Sequence, residues 1–125
     1  MATWVCRMLG AIFVGIGLLV IVRGGLVDPY HNLLHVATGA IALSVGFLGS
    51  SSGARAFCLG FGAAYLALGA LGQLLGDPLL DRQWQVGLMS LETADHVFHV
   101  VLGLVFLASG VLTRGDAPRP QVAAH

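Results

Sequence analysis

Residues 5–22 read Val-Cys-Arg-Met-Leu-Gly-Ala-Ile-Phe-Val-Gly-Ile-Gly-Leu-Leu-Val-Ile-Val, an apolar run with Arg7 alone at its edge. A helix of about 20 mostly apolar residues is what the hydrocarbon core of a bilayer accommodates. Three more runs of similar length follow, at about 30–48, 56–75 and 91–112. Breaks separate them: Arg23-Gly24-Gly25, a Gly49-Ser50-Ser51-Ser52-Gly53 segment read as a flexible turn, and Gly76-Asp77-Pro78. The chain therefore reads as all-α, a four-transmembrane-helix bundle over residues 1–115. The polar stretch 116–125, with Pro118 and Pro120, is expected to be a disordered tail. No small-x-small cleavage site follows the first run, so it is expected to stay as a helix rather than act as a signal peptide.

Composition agrees. Apolar residues make up 57% of the chain and charged residues 10%, against about a quarter charged in ordinary soluble domains. A small globule keeps much of its surface in solvent and cannot hide that much apolar area. The lipid bilayer is the expected partner; a formal net charge of zero gives no reason to expect nucleic acid. Arg7, Arg55, Arg114 and Arg119 fall on one side of the spans. Arg23 and Arg82 fall on the other, with Asp28, Asp77, Asp81, Glu92 and Asp95. The arginine bias places both termini in the cytoplasm. Cys6 and Cys58, near the arginine-rich edge, read as small packing residues rather than a disulfide.

Laying the second run on the fourth so that His35 meets His99 also brings Gly39 onto Gly103 and Gly46 onto Gly110. The first and third runs match loosely, through Leu9-Gly10 and Leu59-Gly60. Two hairpins of like orientation would be related by an axis along the membrane normal, a pseudo-twofold repeat. Glycines at positions 39, 46, 103 and 110 recur about every second turn and read as helix-packing stripes. The Gly72-x-x-x-Gly76 step reads as intramolecular packing in preference to a dimer face.

Four histidines gather at the outer ends of the second and fourth helices. His31 and His35 share one helix face, as do His96 and His99. Asn32, Glu92 and Asp95 lie in the same turns. Polar side chains at membrane depth are costly and ordinarily face a bundle interior. His35 and His99 are the deepest by position, with His31 and His96 expected nearer water. One reading is structural: Asp28-Pro29 and Ser90 or Thr93 cap the helices. Asn32, Asp95 and the histidines then bond across the axis as a clasp. The other is a ligand site, since imidazole suits zinc or copper and paired histidines can flank a haem. The long connection 76–90, with Trp84, Leu79, Leu80 and Val86, is expected to lie amphipathically over this layer. No nucleophile elbow, His-Glu-x-x-His or Gly-rich phosphate loop is present, so an enzyme is not expected.

His31-Asn32-Leu33-Leu34-His35 with Gly39, and Asp95-His96-Val97-Phe98-His99 with Gly103, carry a resemblance. The third helix adds to it, from Arg55-Ala56-Phe57 through Gly62 and Tyr65 to Gly72. Over about residues 7 to 112 the chain resembles small bacterial four-helix membrane proteins known only as a domain of unknown function. Their fourth helix opens Asp-Asn-x-x-His, so His96 is a departure from asparagine. The resemblance implies the fold and the pairing of His35 with His99, and brings no activity. The expected role is a non-enzymatic accessory or structural subunit of a larger complex in the bacterial inner membrane. The alternatives are a histidine-ligated metal or haem protein and, after it, a proton-linked transporter.

Overall fold

The computed structural model describes residues 1–24 and 28–115; the expected tail at 116–125 lies outside the described residues. Four helices form, α1 (Ala2–Arg23), α2 (Pro29–Leu48), α3 (Ser51–Leu75) and α4 (Thr93–Leu112). Each is long and apolar enough to cross a membrane, and the fold class is the one its composition implies. The Ala2 N–H donates to the Thr113 hydroxyl at 2.7 Å, so the start of α1 and the end of α4 share one face of the bundle.

Local chemistry sets the helix ends. Asp28 caps α2 ahead of Pro29, its carboxylate accepting the N–H groups of Tyr30 (2.9 Å) and His31 (3.2 Å). The serine-rich segment is not the flexible turn expected. Ser50 accepts the Gly53 N–H at 3.0 Å, and this cap starts α3 at Ser51. Neither Ser90 nor Thr93 caps α4. Glu92 is its N-cap, and Asp95 reaches back to accept the Glu92 N–H at 2.9 Å, as in a capping box.

The connection before α4 is a β-hairpin that the apolar pattern did not reveal. Strands β1 (Trp84–Val86) and β2 (Met89–Leu91) pair antiparallel, with Trp84 opposite Leu91. Gly87, at φ 60°, supplies the positive torsion that a two-residue turn needs at its first position. This hairpin lies over the histidine layer, as the amphipathic connection was expected to.

Lipid provides no hydrophobic drive for helices to associate, so close approach at small residues has to do it. Packing is dense between α1 and α2 and between α3 and α4, and sparse between those two pairs. A Cβ added to Gly39 would meet the Gly10 carbonyl oxygen at 2.9 Å; one on Gly103 would meet the Leu66 nitrogen at 2.5 Å. Gly46 lies against Arg7, and Gly110 against Leu59. The four stripe glycines thus pack inside their own hairpins.

Gly62, not Gly60, faces Gly103 in the way that Gly10 faces Gly39, which shifts the register expected between the first and third helices. Gly60 borders open space. Gly72 and Gly76 fit against the His96 ring and the Arg82 carbonyl, so that step packs within the molecule. The Cys6 and Cys58 sulfurs lie 3.6 Å apart, buried at the end of the bundle away from the histidines.

Gly103→Ala is expected to force α3 and α4 apart and cost about 1–3 kcal/mol. Gly60→Ala, with no neighbour to displace, is expected to leave stability unchanged or slightly higher. Thermal unfolding of the two variants in one detergent checks the pair.

Candidate functional site

Three of the expected histidines converge where the two hairpins meet. His31 and His35 stand one turn apart on α2, their Nε2 atoms 2.8 Å from each other. His99 comes from α4. Its ring centroid lies 5.7 Å from that of His31 and 6.2 Å from that of His35, nearly parallel to the latter. One nitrogen from each of the three lies within 4.8 Å of the other two. His31 was expected near water, yet it is 7% exposed and His99 2%, with His35 half-buried.

The other candidates do different work. Asn32 does not cross between hairpins; its side-chain amide donates to the Gly17 carbonyl at 3.1 Å, binding α2 to α1. His96 is fully buried rather than near water, and it turns away from the triad. Its Nε2 pairs with the Arg82 carbonyl at 2.8 Å, and its ring lies near Trp84. It ties the connecting segment to α4 and lies outside the cluster of three. Asp95 does face the triad: its Oδ1 lies 3.9 Å from His31 Nδ1. Of the expected clasp, that is the one contact among these residues that joins the hairpins without a third histidine. A second junction was not foreseen. Asp28 accepts the Ser90 N–H at 3.2 Å, tying the cap of α2 to β2.

Aromatic rings floor the triad. Phe13 lies 5.1 Å from His35 and Tyr65 5.3 Å from His99, ring centre to ring centre, and Phe98 sits edge-on to His35. Phe13 had read only as part of the first apolar run, and Tyr65 as a family-like residue of the third, since one sequence gives no sign of which face meets the opposite hairpin. Beside the histidines is a cavity of ≈ 270 Å³, lined also by Leu34, Thr38, Phe61, Tyr65, Met89 and Leu91. Above His31 a second, polar hollow of ≈ 450 Å³ opens between Asp28, Gln83, Ser90, Glu92 and Asp95.

The chemistry of the donors is specific. His35 Nδ1 and His99 Nδ1 are buried without a hydrogen-bond partner, as are His96 Nδ1 and Ser109 Oγ away from the triad. Tetrahedral zinc with Zn–N near 2.0–2.1 Å sets its nitrogens about 3.3 Å apart. Asp95 beside His31 supplies the carboxylate that commonly orients a metal-bound imidazole. A haem fits less well, because its two axial imidazoles must sit on opposite sides of the porphyrin plane. Here His31 lies against both His35 and His99, and no slot for a macrocycle separates them.

The comparisons add family and no chemistry. The model of a family described as a domain of unknown function, DUF4383, matches residues 24–112. No curated protein and no solved structure matches the chain.

The site makes a pH prediction at its rim. The Asp28 carboxyl is held below the ordinary carboxylate range, chiefly by the His31 N–H, with the Ser90 and Tyr30 N–H groups adding to it. A carboxyl whose folded value is depressed stabilises the fold above its unfolded value and loses that contribution as pH falls through the folded one. Asp28→Asn, which still caps a helix, is expected to melt earlier than the parent near neutral pH. The gap should close below the usual carboxylate value, as measured by melting temperature against pH.

Proposed function

The chain belongs to the DUF4383 family, which carries no assigned activity, and we propose from its own side chains that it is a metal-binding membrane protein. In this reading His31, His35 and His99 hold one divalent first-row cation, zinc being the best match to three imidazoles. The observation that carries it is the convergence of three histidine nitrogens, from two hairpins, within 4.8 Å. The ion would join α2 to α4 where direct packing between hairpins is thin. Water completes the fourth position on the cavity side.

The role is non-enzymatic. Among the described residues no serine or cysteine lines the cavity beside the triad, and Asp95 lies on the far side of His31. A proton or solute path is not favoured: among the described residues the buried and half-buried polar groups below the triad thin out to Thr38, Tyr65 and, toward the far end, Ser109, while Ser44 is exposed and bonded to its own helix. The apolar exterior suits a lipid-bathed protein and an accessory subunit of a larger complex equally well. The triad belongs to the chain itself and so ranks first. We read the two hairpins as an internal repeat, supported by the matching contacts of Gly10–Gly39 and Gly62–Gly103. We place the protein in the bacterial inner membrane with both ends cytoplasmic, which turns the triad to the outer face.

Titration of the purified, metal-stripped protein with Co²⁺, whose visible bands report tetrahedral nitrogen ligation, tests the reading. One equivalent is expected to bind and, at a hundredfold excess over Kd, to add about 2.7 kcal/mol of stability. His31→Ala, His35→Ala and His99→Ala should each lose the bands. His96→Asn should melt earlier and keep them. Equal loss from His96→Asn, or no bands in the parent protein, would remove the proposal.

A further inference from the structure

A buried ion site needs a way in, and the polar hollow above His31 has the chemistry for one. Its walls come from both hairpins: Asp28 at the start of α2, Gln83 and Ser90 from the connecting segment, and Glu92 and Asp95 at the start of α4. Three carboxylates face ≈ 450 Å³ of space, and among the described residues no arginine or lysine lines it. His31 is the residue shared by this hollow and the inner cavity. Its ring is more than nine-tenths buried; Nδ1 is turned to Asp95 at 3.9 Å, longer than a hydrogen bond, while Nε2 meets His35. Hollow, shared imidazole and triad therefore form one continuous series of donors.

The carboxylates are not all free. One Asp28 oxygen serves the Tyr30 and His31 N–H groups and the other the Ser90 N–H; Asp95 Oδ2 serves the Glu92 N–H. Asp95 Oδ1 is left on the His31 side. The negative charge persists whether or not an oxygen accepts an N–H. All three groups line one hollow. A cleft of one charge sign with low-dielectric walls raises the local concentration of counter-ions and speeds their capture by about 10- to 1,000-fold.

We propose that this acidic hollow is the capture vestibule for the triad: a hydrated divalent cation enters from the aqueous face between Asp28, Glu92 and Asp95 and passes to the histidines at His31. The inference rests on the metal reading and names its access side and the charge class of its ligand. It excludes arrival of the ion through the apolar cavity between α2 and α3, which Leu34, Phe61 and Leu68 line.

Rates separate this claim from the one it rests on. Stopped-flow mixing of the full chain with Co²⁺ measures association and dissociation for the parent and for the Asp28→Asn/Glu92→Gln pair. Both amides keep the helix-capping acceptors, and circular dichroism verifies that helicity is retained. The pair is expected to associate about tenfold more slowly at low salt, to lose most of the salt dependence of that rate, and to dissociate at the parent rate. Each single variant should fall between. Unchanged association with Co²⁺ still bound would overturn the vestibule and leave the triad standing. Slower association with the salt dependence of the parent would also overturn it, since the loss would not be electrostatic. Absence of Co²⁺ binding in the parent would take down the triad and the vestibule together.

Discussion

Close approach of helix backbones at glycine is the constraint on which the rest of this structure depends. Water drives soluble helices together; lipid does not, and van der Waals contact has to replace it. Gly10 against Gly39 and Gly62 against Gly103 bring each pair of helices together with no room for a single added carbon. The effect is to make two dense hairpins. Their surfaces toward each other are then left to larger side chains, Phe13, Tyr65, Phe98 and Phe106 among them, and the junction between hairpins is loose by comparison. Polar groups that bridge that junction therefore count for more than their number suggests.

Those bridges sit at the two ends. At one end the Ala2 N–H meets Thr113, and Cys6 faces Cys58. At the other, His31 and His35 meet His99 over a ring of aromatic side chains, with Asp95 behind His31 and Asp28 tied to Ser90. Buried imidazole nitrogens in such a place go unpaired, as His35 Nδ1, His99 Nδ1 and His96 Nδ1 do. Unpaired buried polar atoms are expensive in a membrane protein as in a soluble one. In the proposed reading, an ion held by the three histidines would fasten the junction where packing is weakest. The β-hairpin contributes Met89 and Leu91 to the wall of the cavity beside the histidines.

The sequence displayed the spans plainly because their length and apolarity are set by the bilayer, a constraint that acts on each segment separately. It displayed the histidine layer for a related reason: polar residues are rare in such runs and so are conspicuous. What it concealed depends on rotation about helix axes. His96 and His99 are a turn apart, yet the difference in direction sends one to Gly72 on α3 and the other to the hairpin junction. Asn32 likewise points to Gly17 and not across. The register of α1 against α3 was also concealed, since many glycines allow several alignments and only contact with Gly39 and Gly103 selects one. The strands 84–86 and 89–91 are too short for periodicity to reveal.

One measurement bears most directly on the triad: zinc-edge X-ray absorption on protein purified without chelator from its native membrane, with metal content by mass spectrometry. The account predicts one zinc per chain with a shell of imidazole nitrogens near 2.0 Å, absent from a His99→Ala preparation. A chain that carries no stoichiometric metal, or whose zinc shell survives His99→Ala, would contradict it.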